Sequence, residues 1–284
     1  MKFNHFRNML SCCLLTVCAF GLAQEIKDPN PPANNPGGGF QGTGGPDAFG
    51  YTFDTGVPFQ MIDISGTGAL VVSGDDVSSG PIAIPEPFNI YGTDFNSLVM
   101  ASNGYISTDG TDTGPDLSND CPLPVPPSTG GGDRLYPLHD DLVTNTGYYQ
   151  YFDSCPRPSD LGGDLGCHVF FWDDATHFGG AVPFDVEVIL YNESNQQVYM
   201  VGPGNPETGS GSTTGLQNLG ATIGLTVACN TGGSIPDNFA VAIIHPVPFS
   251  PVEIPTLGTW AFIAFAALLL GAGLVMMRRR RLAA

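Results

Sequence analysis

The stretch FDVEVILY, residues 184–191, decides the fold. Phe184, Val186, Val188 and Leu190 fall on one face of an extended chain, and Asp185 and Glu187 fall on the other. A period of two over eight residues is a strand with one face on a core. The NESNQQ that follows turns the chain into VYMV at 198–201, a second short apolar run.

The same alternation of short apolar runs and turn signals extends in both directions. Strand-like runs stand at 60–64, 69–72, 98–101, 105–108, 148–152, 169–172, 197–201, 221–227 and 239–244. LVMASNGYIST, residues 98–108, is a hairpin sequence turning at Asn103-Gly104, because that dipeptide tolerates the positive φ angles a tight turn needs. No stretch of this region has the period of an amphipathic helix. The 38 Gly and 25 Pro in 284 residues agree with many turns and few helices. The expected fold is all-β, an antiparallel β-sandwich over residues 49–246, with Trp172 filling its core. Residues 109–133 carry too much Pro and Gly for a strand or a helix and are expected to form a surface loop.

Both ends break this pattern. Residues 1–23 carry Lys2 and Arg7, then an apolar run, then Gly21 and Ala23 at the spacing of a signal-peptidase site, so a cleaved signal peptide is expected, with Gln24 as the new terminus. A lipoprotein anchor on Cys12, Cys13 or Cys18 fits less well, because Val17 is bulky before Cys18 and the run before Cys12 is short. Residues 24–48 are Pro- and Gly-rich and are expected to be a spacer, as are residues 247–253. Residues 259–277 are apolar and uncharged over a length close to the roughly 20 residues that cross a bilayer, which predicts one C-terminal transmembrane helix. Arg278, Arg279, Arg280 and Arg281 follow it and place that end in the cytoplasm by the positive-inside rule, with the body exported.

Between Gln24 and Glu253 only Lys27, Arg134 and Arg157 stand against all 27 acidic residues, a net charge of −24. Such a surface repels phosphates, which excludes nucleic acid as a partner. Cations, neutral glycans and basic surfaces remain. Four cysteines lie in the exported part. An even number in an oxidising compartment predicts two disulfides. Cys155 with Cys167 is favoured because the loop between them joins two strand-like runs, which leaves Cys121 with Cys229.

Two resemblances add to this reading. Ile254, Pro255, Thr256 and Leu257, then Trp260, an apolar span and a basic end resemble the IPTL-CTERM sorting signal of Gram-negative bacteria, a relative of the PEP-CTERM signals read by exosortases; Ala261 stands where Gly usually follows the Trp. The resemblance covers residues 254–284, with the motif at 254–260 and the basic tail at 278–284. It implies that signal peptidase and then an exosortase process the chain, and that the body passes to the envelope or extracellular matrix. The phrases PFNIYGTDFNSLVMASNGYIS, LYPLHDDLV, GYYQYF, CHVFFWDD and FDVEVILYN resemble a β-rich module recurrent in bacterial exported proteins, which carries no agreed activity.

Three groups of residues have the composition of a chemical site. His139, Asp140 and Asp141 in LHDDL offer metal-ligand chemistry, although adjacent strand residues point to opposite faces and at most two of them can share a site. His168, Asp173, Asp174 and His177 form a second set. Asp109, Asp112, Asp116 and Asp120 recur in a Gly-rich loop of the kind that binds calcium, with a spacing unlike that of an EF-hand. The plainer reading of each is a turn or a solvated acidic loop. No nucleophilic serine or phosphate-binding motif is present, and Asn192-Glu193-Ser194 matches a glycosylation sequon. The expected function is that of a non-enzymatic surface or matrix protein, with no cofactor other than calcium, that binds glycan or another surface protein. The alternatives are a secreted metal-dependent hydrolase and a purely structural matrix component.

Overall fold

The computed structural model describes residues 42–119 and 121–246, and Arg278. Within them fourteen strands follow in order: β1 (Thr43–Gly44), β2 (Thr52–Asp54), β3 (Ala69–Asp75), β4 (Ser78–Ile90), β5 (Thr93–Ala101), β6 (Tyr105–Ser107), β7 (Arg134–His139), β8 (Leu142–Phe152), β9 (Cys167–His177), β10 (Phe184–Tyr191), β11 (Gln197–Val201), β12 (Thr213–Gln217), β13 (Gly224–Cys229) and β14 (Phe239–Ile244). They form two antiparallel sheets, an eight-stranded one ordered β1-β2-β14-β11-β10-β9-β8-β3 and a six-stranded one ordered β13-β12-β7-β6-β5-β4.

The apolar face of β10 is where the alternation puts it. Phe184, Val186, Val188 and Leu190 are buried in the main core with Phe170 and Trp172 of β9 and with Met100, Leu135 and Leu138 from the other sheet. Trp172 is fully buried, and its indole N–H donates to the carbonyl of Ala101 at 2.7 Å, a bond that joins the two sheets. Tryptophan suits such a position because its one polar group reaches a partner while the ring fills volume.

The other face of β10 departs from the polar reading. Glu187 is fully buried there, among Ile189, Tyr191, Val198, Met200 and Ala242, which form a second core. Residues 57–64 cover that face as irregular chain, and the run at 60–64 is therefore not a strand. Its backbone finds side-chain partners in place of a ladder: the Ile62 N–H donates to both carboxylate oxygens of Glu187, at 3.2 and 2.9 Å. From the other side the loop 153–166 lies over the same face, held by buried Arg157, which donates to the Pro58 carbonyl at 3.1 Å, the Tyr191 hydroxyl at 3.0 Å and the Asp160 carboxylate.

Strands β1, β2, β4, β7 and β12 lack a clear sequence signal. β4 contains Pro81, Pro85 and Pro87, which a central strand does not accept; it is the edge of its sheet, where a missing N–H costs nothing, and its pairing with β5 shifts register between Ala83 and Phe88. β7 and β12 are short and mixed in composition but wholly buried. The ordered body also starts before Phe49. Thr43 and Gly44 pair with β2, and the Asp47 carboxylate accepts the N–H groups of Phe49, Gly50 and Tyr51.

The register gives the eight-stranded sheet two distinct ends. Ile244 pairs with Thr52, and Gln197 pairs with Ile243, so the chain leaves the body at Pro246 beside the turn that joins β10 to β11. At the other end Phe184 pairs with Ala175, Val186 with Val201 and Val201 with Phe239, next to His177. Among the described residues no helix is long and apolar enough to cross a membrane. The expected signal peptide, most of the first spacer, the spacer 247–253, the sorting motif with Pro255 and Trp260, the span 259–277 and Arg279, Arg280 and Arg281 lie outside the described residues.

Candidate functional site

LHDDL closes β7 and opens β8 around the turn at Asn103-Gly104. Gly104 has φ +70°, and a Cβ on it would lie 2.0 Å from the Leu138 carbonyl oxygen, so only glycine lets the two turns approach this closely. Asn103 links them: its carbonyl accepts the Asp140 N–H and lies 2.9 Å from His139 Nδ1, its Oδ1 accepts the Leu142 N–H, and its Nδ2 donates to Asp76. The strand geometry then sends His139 and Asp140 to different neighbours.

Asp140 faces His177, at the end of β9. His177 Nδ1 lies 3.0 Å from Asp140 Oδ2 and 3.8 Å from Glu207 Oε1. On the other side of the ring, His177 Nε2 lies 3.0 Å from Asn205 Oδ1, and that oxygen also accepts the Glu207 N–H at 3.2 Å. An oxygen fixed as an acceptor by a backbone N–H requires that Nε2 carry the hydrogen. Burial pulls the His177 pKa down, Asp140 and Asn205 outweigh it, and the net displacement is upward. Asp140, His177 and Glu207 each bring a ligand atom to within 4.8 Å of the others. Glu207 and Asn205 lie in the loop between β11 and β12, in a segment without a motif, and the sequence offered no signal for them.

His139 belongs to a separate buried network around Arg134. The Arg134 guanidinium donates to Asp112 at 2.9 Å, to Asp116 and to the Thr129 carbonyl at 2.6 Å, and it stacks 4.4 Å over the Tyr105 ring. His139 Nε2 lies 3.7 Å from Asp116. Burial alone would raise the Asp116 pKa, but His139, Arg134 and Ser128 hold it well below the carboxylate range. The loop 109–133 therefore wraps a guanidinium. Gly130, at φ +75°, makes this possible, since a Cβ there would meet Arg134 Nη2 at 2.5 Å and Asp112 Oδ2 at 2.7 Å. Of the four aspartates expected to offer calcium ligands, Asp112 and Asp116 face Arg134, Asp109 accepts the Thr111 N–H in a local turn, and Asp120 lies outside the described residues.

The second expected group also divides. His168 and His177 stand at opposite ends of β9, roughly 30 Å apart at strand rise. His168 is buried, 3.1 Å from the Tyr149 hydroxyl and 3.0 Å from the Glu86 carbonyl, and burial lowers its pKa to about 4. Asp173 and Asp174 lie near Asp185, away from either histidine. Close to the His168 end a polar cleft of about 330 Å³ is lined by Glu86, Tyr151, Asp153, Asp164, Asn192 and Glu193. The Asn192 of the sequon is buried here and donates to the Tyr151 hydroxyl at 3.2 Å.

The disulfides join Cys155 to Cys167, across the loop that covers the second core, and Cys121 to Cys229, from the 109–133 loop to β13. Residues 50–245 match a family model described as NIDO related. No curated protein and no solved structure matches the chain.

Proposed function

The chain belongs to the NIDO-related family, and on that premise we propose that it is an exported, non-enzymatic surface protein whose sandwich binds glycan. A NIDO-related domain suggests an extracellular, adhesion-type module, and the observation that carries the proposal is that the match spans 50–245, both sheets from β2 to β14. The export route is inferred from the sequence: a signal peptide, a C-terminal span, and an exosortase acting at Ile254, Pro255, Thr256, Leu257 and Trp260. The mature body would reside in the envelope or the extracellular matrix.

The polar cleft beside β10 supplies the chemistry for a neutral, hydroxyl-rich ligand. Glu86, Asp153, Asp164 and Glu193 accept hydrogen bonds from sugar hydroxyls, Asn192 holds the Tyr151 hydroxyl, and the Tyr151 ring offers an apolar face for a sugar's C–H groups. Carboxylates repel anionic glycans, so the ligand class is neutral. The hydrolase reading is not adopted, because His139 and Asp140 meet different partners and His168 is remote from His177. A glycan array probed with the purified body should give binding to neutral glycans that Tyr151→Ala weakens at least tenfold with the fold intact by circular dichroism. Binding that Tyr151→Ala leaves unchanged would remove the cleft, and an array without signal would remove the glycan reading.

A further inference from the structure

We propose that the exposed loop 178–183, between β9 and β10, forms with the carboxylates beside it a docking surface for a basic segment of another protein, one that combines apolar side chains with arginine or lysine. The surface lies at the opposite end of β9 from the glycan cleft and does not depend on it.

The loop runs Phe178, Gly179, Gly180, Ala181, Val182, Pro183, six residues without a polar side chain, and all six are exposed. Phe178 is 55% and Val182 50% exposed, and Phe178 is the one exposed aromatic side chain among the described residues. Exposed apolar residues scattered singly are ordinary, whereas a continuous apolar stretch with a polar rim marks a contact region. The loop is also fixed at its base. The Phe178 N–H donates to the Asp141 carbonyl at 2.9 Å and the Gly180 N–H to the His177 carbonyl at 2.8 Å, with Gly179 turning the chain at φ +74°. A loop already held in one shape loses little freedom when a partner covers it.

Acids flank the loop. Asp75, Asp76 and Asp141 each bring a carboxylate oxygen to within 4.8 Å of the others, and the Phe178 backbone is bonded to the last of them. Asp173, Asp174 and Asp185 form a second such group, and Asp185 follows Pro183 by two residues. Gly204 lies against the loop, since a Cβ on it would be 3.1 Å from the Pro183 carbonyl oxygen, and its N–H donates to exposed Asp237 at 3.0 Å. These charges repel one another. Burial and then the charge of Asp76 raise the Asp75 pKa, and burial and then the charges of Asp174, Asp185 and Asp63 raise that of Asp173.

The charges select the occupant. Between residues 42 and 246 the only Lys or Arg side chains are Arg134 and Arg157, and both are buried, so a second copy of the body would meet acids with acids. Anionic lipid headgroups are repelled in the same way. A basic protein segment is drawn to the rim, while Phe178 and Val182 enter an apolar recess between its cations, an aromatic anchor within a ring of charge.

The test uses the exported protein from its own host and three fluorescent peptides followed by anisotropy. The first alternates arginine with leucine and phenylalanine, the second replaces its apolar residues by serine, and the third replaces its arginines by serine. The first is expected to bind at least tenfold more tightly than either of the others. Its binding should fall at least tenfold when Phe178→Ser and Val182→Ser are combined, and should weaken in raised salt and in Asp174→Asn with Asp237→Asn. Leu219→Ser, at an exposed apolar residue of the turn between β12 and β13, should leave it unchanged, with every variant folded by circular dichroism. Equal binding of the first two peptides, binding that Phe178→Ser with Val182→Ser leaves intact, or no binding of any peptide would overturn the proposal. So would binding to neutral phosphatidylcholine vesicles in place of the first peptide, which would assign the loop to a membrane, or self-association lost in Phe178→Ser, which would assign it to a second copy.

Discussion

At the scale of the residue, His168 shows what burial does to a titrating group. Its Nε2–H donates to the Glu86 carbonyl, its Nδ1 faces the Tyr149 hydroxyl, and its pKa falls from the ordinary 6.5 to about 4 because burial disfavours the charged ring. A depressed folded value means that the unfolded chain takes the proton first as pH falls. The contribution is complete above pH 6.5 and is lost between 6.5 and 4, on the order of 3 kcal/mol in all. His168→Gln keeps a donor and an acceptor but does not titrate, so its stability in urea should change less than that of the wild type across this window; parallel curves would refute the assignment. The sequence put a histidine at this position but could not say which way its pKa moves, because the cause is burial beneath distant chain, which outweighs the upward pull of the Glu86 carbonyl. LHDDL was likewise legible as adjacent residues on opposite faces. The surroundings of Asp140 were not, since His177, with Asn205 and Glu207 beside it, reaches Asp140 only when the chain has folded.

At the scale of the element, the loop 109–133 is defined by one side chain. Arg134 lies beneath it with no exposure, and the loop folds Asp112, Asp116 and the Thr129 carbonyl onto its guanidinium. Removing one partner of a buried ion pair costs about 3–5 kcal/mol because the other charge is left uncompensated. Arg134→Met should destabilise the body by that amount and speed proteolysis within 109–133, while adding Asp112→Asn and Asp116→Asn should restore much of the loss. Equal proteolysis of wild type and Arg134→Met would show that the loop is held by Cys121 alone. The aspartates of this loop look like calcium ligands because the sequence lists the acids and hides the cation that faces them. Strands were legible wherever a two-residue period met a core, as in β10. β4 was hidden by prolines that its edge position tolerates, and residues 60–64 imitated a strand because irregular chain that covers a sheet must also be apolar.

At the scale of the whole molecule, the sequence separates a body from two ends of different composition. If Ile254 to Leu257 and Trp260 are a sorting motif, the apolar span only holds the substrate while the motif is read. Pro255→Ala leaves hydrophobicity unchanged; it should leave uncut precursor in the inner membrane, whereas the mature wild-type protein should lack residues 1–23 and Arg278, Arg279, Arg280 and Arg281 by intact mass. Full-length protein as the main species in a host that carries an exosortase would refute this.

The two ends of the eight-stranded sheet have a mechanical consequence. The chain leaves the body at Pro246, at the end of β14, while His177, Asp140 and Glu207 lie at the far end of the strands. Force applied at Pro246 while the body is held at that far end would load β14 along its own axis. The force would shear β14 against β2 and β11, so that the rows of hydrogen bonds from Val201–Phe239 to Gln197–Ile243 and from Asp54–Ala242 to Thr52–Ile244 must yield together and not one by one. Forced unfolding is governed by the barrier and not by the equilibrium. Under a load along the strands the lifetime of the body would therefore follow its unfolding barrier, whatever its equilibrium stability.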